Sequence, residues 1–272
     1  MIGAEAVLTR ASYTDLHNHV VPGVDDGSRS VEESLESLRS FRQAGVDRIV
    51  ATPHLYVQHL DGARELTRTL QFLRREFDFL AATAAGVDGA VPEMRFGQEI
   101  CAPNAWDIRR VVDEAELGLG SSAFLLVEFG FELRGDPEAV IEAVHEAGRE
   151  IVIAHPERYR YPDGPDPVER MRRWVEAGAY LQVNLGSLRA GEGAYGAAVA
   201  RLGWRLIDEG LAHLLASDHH CRARPQIVHR EIHEALLARG GVEQAKLLLE
   251  ENPRRIFAGE APLPVEALCS GV

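Results

Sequence analysis

Lysine is almost missing from this 272-residue chain: of 29 basic residues only Lys246 is a lysine and the other 28 are arginines. Lys246 falls in a segment that reads as a C-terminal helix, so chemistry that needs a lysine on a strand, such as metal bridging by a carbamylated amine, is excluded. Cysteine is sparse. Cys101, Cys221 and Cys269 form no Cys-x-x-Cys pair and no even framework, which points to a reduced, cytoplasmic setting. No arginine follows a cysteine at the spacing of a cysteine-phosphatase loop, because six residues beyond Cys101 stands Asp107 and six beyond Cys221 stands Ile227. A thiol phosphoenzyme is therefore not expected. No apolar run approaches the ~18–20 residues of a membrane span, and the N-terminus lacks a charged-then-apolar signal pattern, so direct membrane insertion is not expected. Positive charge is in deficit too, with 42 acidic residues setting the formal charge at −13. That balance argues against non-specific binding to nucleic acid or anionic lipid.

Linkers and low-complexity tracts are also absent. The reading is one domain over 1–272, with a loose tail from about residue 259. Several familiar motifs fail on inspection. Gly118–Ala123 resembles a dinucleotide loop, but it precedes a strand where the fingerprint must follow one. No Gly-x-Ser-x-Gly elbow occurs. His145-Glu146 and His233-Glu234 lack the second histidine of a zincin.

What is present is a regular alternation of short apolar runs and longer helical segments. The runs are 13–17, 47–52, 94–100, 124–129, 150–155, 180–184 and 213–218. Between them, residues 31–45 carry Leu35, Leu38 and Phe41 at helical spacing. Ser30 and Glu33 suggest a capping box there and Gly45 a C-cap. Asp136-Pro137 starts a second helix, and 63–83 forms a long one. Alternating strands and helices imply a parallel sheet of α/β class.

Six of the seven runs end in His, Asp or Glu: His17 and His19, His54, Glu99, Glu128, His155, then Asp218 and His220. Asp25-Asp26 follows the first run. In barrels of parallel strands the C-terminal strand ends converge on one face, where catalytic groups sit. Residues two apart on a strand point to the same side, so both imidazoles of His17-Asn18-His19 can reach one ion. Any one such residue is ordinarily a satisfied structural group. Together, buried without cations, they would be costly. The set is imidazole and carboxylate with no thiol, which suits Mn, Fe, Co or Zn. It exceeds what one ion can use, so two or three ions are expected, a grouping that commonly clamps a phosphoryl group. Arg158, Arg222 and Arg224 follow these residues and suit a phosphate.

In order along the chain, DLHNHVVPGVDDGSRSVEESL, IVATPHLY, GQEI, LLVEF, IVIAHPERY, LQVNLGSL and ASDHH resemble the polymerase and histidinol phosphatase (PHP) superfamily. Within it, VPGVDDGS and AHPERY are similar to the bacterial manganese-dependent protein-tyrosine phosphatases of capsule and exopolysaccharide operons, the CpsB/CapC/YwqE type. The resemblance implies a distorted (β/α)7 TIM-like barrel with Mn2+ at three positions. His17, His19, Glu99 and Asp218 would hold one ion. Glu99 would bridge to a second, also held by Glu128 and His155. Asp26, His54 and His220 would hold the third, and Arg158 and Arg224 would contact phosphate. The implied substrate is the tyrosine-phosphorylated tail of a bacterial polysaccharide-assembly kinase, and a homo-oligomer is compatible. A small-molecule phosphatase of the histidinol-phosphate kind is the alternative, followed by a phosphoprotein-binding module without catalysis. One departure stands out: His219 occupies a position that is usually small. In an extended segment it points away from the site, leaving Asp218 and His220 as ligands; ligation by His219 instead of His220 stays open.

Overall fold

The computed structural model describes residues 11–87, 89–161, 164–189, 195–221 and 226–268. The strands are β1 (Tyr13–Asp15), β2 (Val46–Ala51), β3 (His54–Tyr56), β4 (Glu93–Phe96), β5 (Glu99–Cys101), β6 (Phe124–Glu128), β7 (Glu150–Ala154), β8 (Tyr180–Asn184) and β9 (Leu214–Ala216). Helices separate them: α1 (Val31–Gln43), α2 (Ala63–Ala85), α3 (Ala105–Arg109), α4 (Pro137–Glu146), α5 (Pro167–Glu176), α6 (Ala197–Asp208), α7 (His229–Ala238), α8 (Val242–Lys246) and α9 (Asn252–Phe257). All seven expected runs form strands, but the third breaks in two, and a short strand outside the expected runs, β3, follows the second. Pro53 has no N–H to continue a ladder, and it separates β2, in the second run, from β3, which lies beyond that run's end. Gly97-Gln98 divides the third into β4 and β5.

Partners change at both points. One sheet has the order β1-β2-β4 and the other β3-β5-β6-β7-β8-β9, every neighbouring pair being parallel. Single hydrogen bonds keep the pieces in line, from Gly97 N to Ala51 O at 3.0 Å and from Glu99 N to Pro53 O at 3.2 Å. The first and last runs meet just beyond their strands. Asn18 bridges His219, Asp218 N donates to His17 O at 2.8 Å and His19 N to His219 O at 2.9 Å. The resemblance implied a distorted (β/α)7 barrel. The structure has two parallel sheets whose outer edges touch through that bridge and not through a ladder.

Alternation along the strands sorts the core. Leu125 and Val127 of β6 and Ile151 and Ile153 of β7 belong to the large cluster against the helices. Phe124, Leu126, Val152 and Ala154 belong to a smaller inner cluster with Leu16, Val50 and Leu214, plugged by Ile256 and Phe257 of α9. Burial on both faces is the mark of a parallel sheet covered by helices. The next inward positions are polar: Glu128 on β6, Gln182 and Asn184 on β8. The apolar plug thus forms a floor, and the polar groups stand on it at the C-terminal strand ends.

Helix ends follow the sequence signals. Ser30 Oγ accepts from Glu33 N at 3.4 Å, while Glu33 reaches back to Arg29 N at 3.0 Å, one residue short of a capping box. Gly45 follows the last turn of α1 at φ +92, and Asp136 caps α4 through Ala139 N at 3.2 Å. The segment expected to be loose beyond residue 259 is instead pinned as far as Leu268. Leu263 exchanges two hydrogen bonds with the Asn252 side chain, and Leu268 N donates to Asp208 O. Val265 is buried there. Among the described residues no helix is long and apolar enough to cross a membrane.

Candidate active site

The described candidate ligands meet in one place, at the mouth above the apolar floor. Glu99, the first residue of β5, is its hub and is fully buried. Its Oε2 lies 3.2 Å from His17 Nε2, 3.4 Å from His19 Nε2 and 2.8 Å from His54 Nδ1, and its Oε1 lies 2.9 Å from His155 Nε2. Asp218 Oδ1 is 3.5 Å from His17 Nε2 and 3.4 Å from His19 Nε2. At the outer edge, Asp26 Oδ1 stands 3.3 Å from His54 Nε2 and 3.1 Å from His220 Nε2. Three groups have ligating atoms all within 4.8 Å of one another: His19, Asp26, His54 and His220; His17, His19 and Glu99; and His54, Glu99 and Glu128.

The surroundings aim these side chains inward. His17 Nδ1 faces Gln182 Oε1 at 2.9 Å and His19 Nδ1 faces Asp25 Oδ2 at 2.8 Å. An Nδ1–H donated outward leaves each Nε2 lone pair free to ligate, the usual arrangement behind metal-binding histidines. Gln182 Nε2 donates to Asn184 Oδ1 at 2.8 Å, and Asn184 Nδ2 to Asp218 Oδ2 at 2.8 Å. One relay of amides therefore orients His17 and Asp218 together. Two of the residues sit in left-handed backbone, His155 at φ +34 and Asp218 at φ +49. Non-glycine residues occupy that region at a cost, and such strain clusters at functional sites.

Charge in the cluster is unbalanced. Among the described residues, Asp25, Asp26, Glu99, Glu128 and Asp218 converge with a single guanidinium, that of Arg158. Burial disfavours charge on His17, yet Glu99 and Asp218 outweigh it and raise its proton affinity. His19 behaves alike through Asp25, Asp218 and Glu99, and His54 is raised to about 9 despite its burial. Glu99 is held well below the usual carboxylate range by His17 and His54, against its own desolvation. Burial and then the Glu99 charge push Glu128 up to about 7. Burial takes His155 down to about 4. The pocket thus calls for positive charge. Glu99 Oε2 and His54 Nδ1 face each other at 2.8 Å without a well-directed hydrogen bond, and His155 Nδ1 is buried with none. Orphaned ligating atoms of imidazole and carboxylate type fit borderline divalent cations.

Arg158 lies at the rim, its Nη1 2.5 Å from Asp218 Oδ2 and its guanidinium stacked on Phe131 and Tyr195. Arg224, the other arginine implied by the sequence, and its neighbour Arg222 lie outside the described residues. His219 turns away: its Nε2 is 3.0 Å from Ser37 Oγ and its ring packs edge-on against Phe41. His220 occupies the inward position.

Three supporting residues were not singled out from the sequence. Asp25 was noted only for its place in the loop, yet it is the member of the acidic pair that is buried, and it also accepts from His54 N. Gln182 and Asn184 are alternate polar positions in the apolar run 180–184, a period-two signal that could have revealed them. Gly27 closes the same loop so tightly that a Cβ would lie 2.1 Å from His19 O. Gly27→Ala is expected to push Asp25 and Asp26 away from the histidines and to lower kcat by about 10²-fold, the cost of displacing a catalytic constellation by about 1 Å. Steady-state kinetics beside a thermal melt would check it, and an active variant of unchanged kcat would contradict it.

Comparison with known proteins identifies the family to which the chain belongs. The family described as "Capsular polysaccharide synthesis, CpsB/CapC" matches residues 13–258. The tyrosine-protein phosphatase YwqE of Bacillus subtilis is 30% identical over 216 residues, covering 76% of each chain. The CapC protein of Staphylococcus aureus is 28% identical over 208 residues, again covering 76% of each chain. In three dimensions, a chain from the crystal structures of YwqE and of CpsB from Streptococcus pneumoniae, described there as metal-dependent tyrosine phosphatases, matches with a TM-score of 0.72. It shares 24% identity and the match covers 93% of this chain and 99% of that one. This chain belongs to the CpsB/CapC family of capsular polysaccharide synthesis.

Proposed function

We propose that this chain is a metal-dependent protein-tyrosine phosphatase. It acts on the tyrosine-phosphorylated tail of a bacterial kinase or polysaccharide co-polymerase and so regulates capsule or exopolysaccharide synthesis from the cytoplasm. The observation that carries the reading is the convergence of His17 Nε2, His19 Nε2, Glu99 Oε2 and Asp218 Oδ1 beside Arg158. In this reading His17, His19, Glu99 and Asp218 hold one ion. Glu99, Glu128 and His155 hold a second, and Asp26, His54 and His220 a third. Two or three Mn2+ ions are proposed, with Fe, Co or Zn as substitutes. The parallel strands are read as a distorted (β/α)7 barrel, supported by the contact of the first and last runs.

Divalent ions in such a site neutralise phosphoryl charge and make water nucleophilic near neutral pH. The protein's own part is positional. Gln182, Asn184 and Asp25 fix the histidines and Asp218. Arg158 supplies donors to the phosphoryl oxygens, where charge builds in the transition state. Stacking on Phe131 and Tyr195 holds its guanidinium at the rim without removing its charge. Arg224 is proposed as a second phosphate contact.

Phosphate release from a phosphotyrosyl peptide tests the reading, with protein freed of metal and then titrated with Mn2+, and with Zn2+, Co2+ and Mg2+ alongside. Activity should return with Mn2+ and saturate at two or three ions per chain, and Arg158→Ala should lower kcat/KM by about 10²-fold. Silence with every ion would reject it.

A further inference from the structure

Along residues 217–221 the side chains divide between the site and the framework behind it. Asp218 and His220 face the site: Asp218 Oδ1 lies near His17 and His19, and His220 Nε2 stands 3.1 Å from Asp26 Oδ1. Ser217, His219 and Cys221 face the framework. Ser217 Oγ donates to His17 O at 3.2 Å. His219 and Cys221, the two neighbours of His220, meet one hydroxyl. Ser37 Oγ, on α1, lies 3.0 Å from His219 Nε2 and donates to Cys221 Sγ at 3.3 Å. With its proton on Nε2, His219 donates to Ser37 Oγ, and the Ser37 O–H is left for the thiol. All three residues are buried, and Phe41, one turn further along α1, packs edge-on against the His219 ring at 5.2 Å.

The same helix face holds a second ligand. Ser34, three residues before Ser37, has its Oγ 2.8 Å from Ser28 Oγ. Ser28 N donates to His19 O at 3.0 Å, and Asp26 stands two residues before Ser28. Positions three apart share one side of a helix. Through Ser34, α1 grips the loop that carries Asp26, and through Ser37 the loop that carries His220. The second grip opposes strain. Asp218 at φ +49 and Cys221 at φ +47 bracket His219 and His220 in left-handed backbone, which persists only where its surroundings over-determine it.

We infer that His219 is a positioning residue: held by Ser37, it fixes His220 against Asp26 and so sets the affinity of the outermost of the proposed ion positions. The inference rests on the ion assignment given above and adds to it a residue that none of the ligand groups contains. Of the three ligands at that position, Asp26 and His220 are the ones hung from α1. The other, His54, is set by β3 and faces Glu99 Oε2 at 2.8 Å. Asp218, on the far side of His219, is held separately by Asn184 Nδ2 at 2.8 Å and by Arg158. Loss of the clamp therefore falls on His220.

Mn2+ binding tests this without turnover, followed by the paramagnetic signal of the free ion during titration into metal-free protein. His220→Ala identifies the outer position as the step that it removes. His219→Ala should weaken that same step by about 10-fold to 100-fold, the range for residues that orient metal ligands, and leave the other steps unchanged. Ser37→Ala, which puts a strong helix former into α1, should weaken it too. The double variant should bind no more weakly than the worse single one, because both act through one contact. His219→Gln, whose amide nitrogen stands where Nε2 stands, should restore most of the affinity. Unchanged binding in His219→Ala and Ser37→Ala overturns the inference. So does an equal weakening of every step, which would mean that the clamp serves the fold and not His220, and so do losses that add in the double variant. Phosphate release is read separately, so a chain that bound its ions and hydrolysed no phosphotyrosine would fail the phosphatase reading while these titrations still decided this one.

Discussion

Glu99→Gln is expected to cut phosphate release from a phosphotyrosyl peptide by about 10³-fold in kcat, with the protein still folded. No other carboxylate of the site faces as many imidazoles: His17, His19, His54 and His155 all lie within 3.4 Å of its oxygens. The amide keeps the shape and one acceptor oxygen but removes the charge shared between two of the proposed ions. Asp26 makes a useful contrast. Its side chain is 70% exposed and touches only His54 and His220 among these groups, so Asp26→Asn should cost less, about 10-fold to 100-fold. Elemental analysis after dialysis should find fewer ions per chain in the Glu99 variant than in the Asp26 variant. Equal losses in the two variants would show that Glu99 is not shared.

The second large effect is on stability. Asp15 is fully buried beneath the site, 3.1 Å from His229 Nε2. It accepts from Ser217 N at 2.7 Å, Asn18 Nδ2 at 3.0 Å and His17 N at 3.3 Å. It therefore ties the end of the first run to the end of the last. Asp15→Ala strips a partner from four buried donors and should destabilise the fold by about 3–5 kcal/mol. At about 2–4 °C per kcal/mol, the melting temperature should drop by roughly 10 °C. A melting point within a degree or two of wild type would refute this. The pH dependence has a definite sign. Burial alone would raise the Asp15 pKa, but His229, Asn18 and Ser217 hold it below its ordinary 3.8. Its contribution is present in full above that unfolded value and is lost as pH falls through the lower folded one. Acid unfolding of the wild type should therefore reflect this contribution, and Asp15→Ala should lack that part of the pH dependence.

Much of this was legible in the residues. Apolar runs ending in His, Asp or Glu located the strands and the face of the site, because a parallel strand delivers its last side chains to a common rim. The His17–His19 spacing placed both rings together for the same reason. Less visible was anything that depends on which strand lies beside which. Pro53 and Gly97 could be read as interruptions, but not as the points where one run passes from the three-stranded to the six-stranded sheet. Asp25 and Asp26 are adjacent and identical, and only the tight turn at Gly27 decides which one is buried. Phe131 sits in a stretch with no periodicity, placed by the left-handed Gly130 and a backbone pairing with Arg160. The tail beyond residue 259 looked loose because only Val265 and Leu268 pack against the core, and its other anchors are backbone groups gripped by Asn252 and Asp208, which leave no hydrophobic pattern.

The left-handed backbone at His155 and Asp218 bears on how this protein changes under selection. Each of these residues costs about 1–3 kcal/mol that a glycine would return. Each also brings a polar side chain into a pocket already crowded with buried carboxylates and imidazoles. Substitutions that relax these two positions therefore pull thermal survival and catalysis in opposite directions. A library screened only for heat resistance would accumulate changes at His155 and Asp218 and drift toward an inert scaffold, whereas a library screened for turnover would hold both positions and find its stabilising changes in the helical shell.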